Sequence, residues 1–198
     1  MADLADATAI ILAAGAGKRM GSPKALMTVD GQPWWQLQHQ RLQSIGVGAL
    51  WVVSGAVDTA MTGDARAPSR RVLASSESPM IASVLAGVRA LSADPPRGVF
   101  ILPIDTPAPN RDVWVSGAAG DTITAPIYQD RAGHPVYLPW GWVADHLRSA
   151  DLDPASARLD ELLAGSARRI ETDDPDAATN LNRPQDLADW LQRNRRST

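Results

Sequence analysis

The chain contains no cysteine. Disulfides and thiolate-bound metals are therefore excluded, although this absence does not assign a compartment. There is no basic excess: 19 lysines and arginines face 22 aspartates and glutamates, a formal net charge of −3. A general nucleic-acid binder would normally carry a basic face, so that class is disfavoured. The start of the chain, Met1-Ala2-Asp3-Leu4-Ala5-Asp6, is acidic and lacks the cationic opening of a signal peptide. No stretch is long and apolar enough to span a bilayer. Internal repeats and low-complexity linkers are missing, and no two of the histidines stand at metal-ligand spacing. The expectation is a soluble, cytoplasmic protein with no nucleic-acid or membrane partner.

What is present is enough apolar material for a core. The chain has 198 residues, 44% of them hydrophobic, which favours one large domain over two small ones. We expect a single domain over 1–198, with residues 1–7 flexible. Strand and helix patterns alternate, which implies an α/β fold around a mainly parallel sheet. Strands are expected at Ile10–Ala13, Ala49–Gly55, Ser69–Ala74, Val99–Asp105, Asp121–Pro126, His134–Leu138 and Ala167–Glu171. Helices are expected at Trp34–Ile45, Met80–Leu91, Asn110–Ala118, Trp142–Leu147, Pro154–Ala164 and Pro184–Arg195. His39 and His146 fit solvent-facing helix positions.

One stretch organises the rest: Ile10-Ile11-Leu12-Ala13-Ala14-Gly15-Ala16-Gly17-Lys18-Arg19-Met20-Gly21-Ser22-Pro23-Lys24-Ala25-Leu26. An apolar run without alternation, bounded by glycine, reads as a buried strand. Small residues follow it, so the backbone can turn tightly and bring successive N–H groups near an anion. The cations Lys18, Arg19 and Lys24 beside it suit a polyphosphate. The dinucleotide fingerprint G-x-G-x-x-G is not met, because Gly15, Gly17 and Gly21 are spaced G-x-G-x-x-x-G and Pro23 interrupts a following helix. The P-loop fails too, since Gly17-Lys18 is followed by Arg19 and Leu12 stands five residues before Gly17.

The pattern Leu12-Ala13-Ala14-Gly15-x-Gly17-x-Arg19-Met20-Gly21-x-Pro23-Lys24-x-Leu26 resembles the signature loop of the molybdenum cofactor guanylyl- and cytidylyltransferases and their relatives. The resemblance runs from Ile10 to about Leu191. It implies a three-layer α/β/α, Rossmann-like, mainly parallel sheet of the glycosyltransferase-A-like type. In that family the loop wraps a nucleoside triphosphate, so Leu12, Ala13, Ala14, Gly15, Gly17, Lys18, Arg19 and Lys24 would bind nucleotide. Arg19 and Lys24 would hold its phosphates.

Asp105 follows a buried strand, at the edge where open α/β sheets bind ligands. A carboxylate there suits Mg²⁺, and it equally suits a turn opening at Asp105-Thr106-Pro107. Leu102-Pro103-Ile104-Asp105-Thr106-Pro107 is similar to the family's metal-binding segment, which usually has glycine in place of Ile104; the resemblance therefore implies a metal role for Asp105. Ser78-Pro79-Met80-Ile81-Ala82-Ser83 resembles its base- and ribose-reading segment, which implicates Ser78 and Ser83; Ser78 could also cap the following helix. Gly133-His134-Pro135 resembles a motif of the cytidylyltransferase branch, which would put His134 near the acceptor. Asn180-Leu181-Asn182-Arg183-Pro184 resembles the last motif, so Asn180 or Asn182 would be the second metal-side residue.

These matches imply a Mg²⁺-dependent nucleotidyltransferase in which Arg19, Lys24 and Asp105 are catalytic. It would move a nucleoside monophosphate from an NTP, with CTP favoured, to a small phosphate acceptor such as a molybdopterin-type cofactor, releasing pyrophosphate. Two alternatives stay open: a sugar-phosphate or alcohol-phosphate nucleotidyltransferase of the same fold, and a nucleotide-binding regulator without turnover.

Overall fold

The computed structural model describes residues 4–17, 20–148 and 152–196, the Arg196 side chain excepted. Leu4–Asp6 form a short 3-10 turn with Leu4 buried, so the part of the 1–7 segment from Leu4 onward packs against the core. Strand β1 (Ala7–Ala13) follows. A 3-10 turn at Lys24–Leu26 leads to a small antiparallel ribbon, β2 (Thr28–Val29) with β3 (Gln32–Pro33). Then come α1 (Trp34–Ile45), β4 (Gly48–Val53), α2 (Gly55–Met61), β5 (Arg71–Leu73), α3 (Met80–Leu91), β6 (Gly98–Pro103) and α4 (Arg111–Gly117). The second half holds β7 (Thr124–Tyr128), β8 (Arg131–Ala132), β9 (Val136–Pro139), α5 (Trp140–His146), α6 (Leu159–Leu162) and β10 (Arg168–Glu171). A 3-10 turn at Pro175–Ala178 and α7 (Pro184–Arg196) end it.

The main sheet has the order β10-β7-β9-β6-β1-β4-β5, with β8 paired to β7. β6, β1, β4 and β5 run parallel, and β9 enters antiparallel to β6 and β7. β1 lies inside the sheet between β6 and β4, and all seven of its residues are buried. Its side chains alternate between the faces, as any strand's do. Ala9, Ile11 and Ala13 join one apolar cluster with Trp34, Trp35 and Leu42 of α1, Trp114 of α4 and Trp190 of α7. Ile10 and Leu12 join the other, with Ile81, Val84, Leu85 and Val88 of α3, Val143 of α5 and Leu159 of α6. Helices on both faces of a mostly parallel sheet make the expected three-layer α/β/α fold. No helix among the described residues is long and apolar enough to cross a membrane.

The strand expected at Asp121–Pro126 lies at Thr124–Tyr128, and two elements differ more from the sequence reading. The strand expected to run to Gly55 stops at Val53, and Gly55–Met61 is a helix. The Ser54 hydroxyl accepts the Val57 N–H at 3.4 Å and starts that helix. The helix expected over Pro154–Ala164 shrinks to Leu159–Leu162. Asp153 draws the Ala155 N–H and the Ser156 hydroxyl into a turn, and Arg158 stays extended, so helix can begin only beyond it.

Candidate active site

β1, β4 and β6 are parallel, so their C-terminal ends open on one edge of the sheet. A cavity of about 380 Å³ lies there. Its walls come from the loop after β1, the segment between β5 and α3, and the loop after β6. Of the residues singled out in the sequence, it brings together Leu12, Ala14, Gly15, Gly17, Lys24, Ser78, Ser83 and Asp105. Ala13 is not among them: strand alternation turns it to the opposite face of β1, inside the α1-side core. Lys18 and Arg19 lie outside the described residues.

The glycine loop folds back on itself. Gly17 has φ +64°, and a Cβ there would come within 1.9 Å of the Ser22 carbonyl oxygen. The Met20 N–H donates to Gly17 O at 2.8 Å. Only glycine combines that backbone angle with that approach. On the opposite wall, α3 begins after Pro79 with no side-chain cap hydrogen bond, so the capping role considered for Ser78 is not realised, and Ser78 lines the cavity. The cavity also takes in Met20, Ser75, Ser76, Met80, Pro103 and Ile104, which the sequence did not single out. Ser75 and Ser76 carried a usable signal, being polar residues just past a strand at the ligand-binding edge.

Lys24 joins the first wall to the third. Its Nζ donates to Asp105 Oδ2 at 2.7 Å and to Asn182 Oδ1 at 2.6 Å. A carboxylate oxygen and an amide oxygen thus converge on one cation-sized point. Hard oxygens of this kind are what Mg²⁺ takes, completed by substrate phosphates and water, so the residues present fit such an ion. Among the described residues no three histidine, aspartate or glutamate side chains gather into a metal cluster. Asn180 does not share the Lys24 contact: its Oδ1 accepts the Thr106 hydroxyl at 3.3 Å.

The Asp105 loop is held from behind by α1. Trp34 Nε1 donates to Ile104 O at 2.6 Å. Gln38 clamps two residues at once, donating to Thr106 O at 2.7 Å and accepting from Ala108 N at 2.9 Å. Arg41 donates to Ala108 O through Nε and Nη2, at 3.0 and 2.6 Å. The Leu181 N–H reaches Asp105 O at 2.7 Å, tying Asn182's segment to the same loop. Ile104, standing where the family usually has glycine, keeps a negative φ, since it is not among the residues in the left-handed region. Positions 34, 38 and 41 recur at helical spacing, so one face of α1 aims polar groups inward. That stripe was the sequence signal for positioning residues, and it was missed.

His134 does not line the cavity. Its backbone N–H donates to Ala177 O at 2.8 Å, and a Cβ on the neighbouring Gly133 would sit 2.0 Å from that same oxygen. The glycine of the Gly-His-Pro motif is therefore explained by close packing on the 175–178 turn. Burial pushes the His134 imidazolium down, against opposing pulls from the Asp105 charge and the Ile101 backbone. Its Nδ1 is buried with no hydrogen-bond partner among the described residues. His39 is not solvent-facing as expected. It is half-buried against Trp51, ring centroids 6.1 Å apart, and burial lowers its pKa too.

A pH effect on stability follows. An unfolded histidine takes up its proton near pH 6.5, whereas the native His134 resists it. Protons then favour the unfolded chain, so this contribution is intact above about pH 6.5 and lost as pH falls below it. Thermal melts from pH 8 to 5.5 should show the native protein losing stability on acidification. His134→Gln should flatten that slope, leaving the smaller His39 part of the same sign. An unchanged slope would show that the imidazole is solvated.

The comparisons with known proteins bear on the fold and on the family. The solved structures it resembles include a nucleotidyl transferase from Methanothermobacter thermautotrophicus (TM-score 0.73, 23% identity, covering 97% of this chain and 99% of that one). Rv0371c from Mycobacterium tuberculosis, in complex with manganese, superposes with TM-score 0.69 at 18% identity over 94% of this chain and 98% of that one. The molybdopterin-guanine dinucleotide biosynthesis protein A of Archaeoglobus fulgidus gives 0.68 at 18% identity over 96% and 99%. At these identities the likeness shows the fold. No curated protein matches the chain significantly in sequence. The family model for the MobA-like NTP transferase domain matches residues 9–171. With that match spanning the glycine loop, the Asp105 loop and the sheet that carries both, the chain belongs to the MobA-like NTP transferase domain family and is a nucleotidyltransferase.

Proposed function

We propose that this enzyme transfers a cytidylyl group from CTP to a small phosphate-bearing acceptor of the molybdopterin type, with Mg²⁺, releasing pyrophosphate. The observation that carries the reading is the cavity itself, lined by the glycine loop, Lys24 and Asp105, with the Lys24 ammonium bridging Asp105 to Asn182. Manganese in the Rv0371c complex supports a divalent ion. The Archaeoglobus protein, named for molybdopterin-guanine dinucleotide synthesis, supports the acceptor class.

In the transfer, an acceptor phosphate oxygen attacks the α-phosphorus. The bond from that phosphorus to the bridging oxygen breaks, and pyrophosphate leaves with the electron pair. The acceptor is already anionic, so no protein base is required, in keeping with a neutral His134 away from the cavity. The chain's part is placement and charge neutralisation. The backbone from Ala14 to Gly17 shapes the phosphate cradle. Ser78 and Ser83 offer hydroxyls to the nucleoside. Lys24, with Arg19 beside it in sequence, neutralises charge on the phosphates. Asp105 and Asn182 would hold the metal ion, which supplies a Lewis acid at the phosphates when bound.

The choice of CTP rests on Ala14, which is buried and lines the cavity where related guanylyl loops usually carry glycine. Its methyl takes room that a purine would need. Competition binding of CTP, GTP, ATP and UTP in Mg²⁺ tests this. CTP should bind about 10–200-fold more tightly than GTP if steric fit alone decides. Equal or tighter GTP binding would sink the cytidylyl assignment. Pyrophosphate release over a panel of phosphate acceptors then tests the acceptor class.

A further inference from the structure

The Lys24 ammonium stands where the divalent ion is assigned. It is 2.7 Å from Asp105 Oδ2 and 2.6 Å from Asn182 Oδ1, the two oxygens of the donor set. The contact is shielded, with side-chain exposures of 15% for Lys24 and 24% for Asp105, so salt and water screen it only in part. Mg²⁺ needs its oxygens at about 2.0–2.1 Å in near-octahedral array. An ammonium and a dication cannot occupy one point between the same two oxygens, and near each other they repel. A dication bridging Asp105 Oδ2 and Asn182 Oδ1 at that point would require Lys24 to leave.

The ammonium has somewhere to go. Lys24 itself lines the cavity together with Gly15 and Gly17, where a triphosphate would lie. Its backbone is pinned in the 3-10 turn, with Leu26 N donating to Pro23 O at 2.9 Å and Met27 N to Lys24 O at 3.1 Å. Side-chain rotation alone can therefore carry the charge from the carboxylate to a phosphate. Free metal offers the ammonium no new anion; a metal–triphosphate complex does.

Resting on the metal reading above, we infer that the Lys24 ammonium holds the Asp105 and Asn182 oxygens and excludes free divalent cation until a triphosphate draws it away. One exchange then serves both partners. The ammonium would move from Asp105 to the polyphosphate, freeing Asp105 and Asn182 to hold a divalent ion.

The probe is free Mn²⁺, titrated into the nucleotide-free protein and followed by electron paramagnetic resonance. The native protein should bind it weakly. Lys24→Met should bind it about tenfold more tightly or better, as expected when a competing cation is removed. Adding Asp105→Asn to that variant should abolish the gain. Arg183→Met removes a neighbouring exposed charge and should leave Mn²⁺ affinity within about a factor of two. Equal Mn²⁺ affinity with and without Lys24, both dependent on Asp105, would overturn the inference and leave the metal site standing. An equal gain from Arg183→Met would overturn it as well, by showing a general field effect. Mn²⁺ binding that ignores Asp105 in every variant, with or without CTP, would overturn the metal reading together with the inference.

Discussion

Asp105→Ala is expected to lower turnover about a hundredfold to a thousandfold, the usual loss when one preorganised electrostatic stabiliser of a transition state is removed. The fold should survive. What ties this loop to its neighbours is backbone and α1, not the carboxylate: Asp105 O takes the Leu181 N–H, and Gln38 and Arg41 hold Thr106 and Ala108. The carboxylate's own partner is Lys24, which keeps Asn182 when Asp105 is gone. Pyrophosphate release at saturating and at limiting Mg²⁺, beside a thermal melt, separates the possibilities. A fall in kcat with an unchanged melt is the expected result, because the contact should strengthen as charge develops on the leaving group. Asp105→Asn should fall between the two, since an amide oxygen ligates without charge. Native activity in Asp105→Ala at limiting Mg²⁺ would reduce Asp105 to a turn residue.

That experiment addresses a site much of which could be read in the sequence. Local rules sufficed where the cause is local. A buried strand ending in glycines forces a tight turn, and α3 appears where apolar residues recur every three to four positions. α2 escaped because its evidence is a single serine hydroxyl at its start, with a glycine and β-branched residues behind it. The metal-side geometry was out of reach for another reason. Lys24 meets Asp105 across 81 residues and Asn182 across 158, and nothing in either neighbourhood announces the partner. Sequence could name both asparagines but not their partners: Asn182 meets Lys24, and Asn180 meets the Thr106 hydroxyl. The support of the Asp105 loop by α1 is hidden in the same way, since Gln38 and Arg41 reach it over 67–70 residues.

Arg41 carries the second large effect, on stability. It pairs with Asp176 at 2.5 Å, its guanidinium carbon lies 5.5 Å over the Trp190 ring, and it donates twice to Ala108 O. Asp176 also accepts from Trp190 Nε1 at 2.8 Å, and its side chain is only 8% exposed. Burial pushes its carboxyl up, while the Arg41 charge and the Trp190 hydrogen bond pull it back. Breaking such a pair from one side strands the other charge, at a cost of about 3–5 kcal/mol. Arg41 keeps 26% of its side chain exposed, so the lower end, about 3 kcal/mol, is the better expectation. In a chain of this size that lowers the melting temperature of Arg41→Ala by about 6–12 °C. The Arg195–Asp30 pair is also 2.5 Å long but exposed by 69% and 54%, and removing it should change almost nothing. The pH dependence has a definite sign. With its folded pKa above the unfolded value, an ionised Asp176 costs the native state stability, and that cost is relieved as pH falls and the carboxyl takes up a proton. Without Arg41 the folded pKa should rise further, so the deficit of Arg41→Ala should be largest near neutrality and shrink toward pH 5. Melts of Arg41→Ala and Arg195→Ala at pH 7.5 and 5 measure this directly. Equal small losses for both variants would show that water screens the Arg41–Asp176 pair and that α1 holds the Asp105 loop without it.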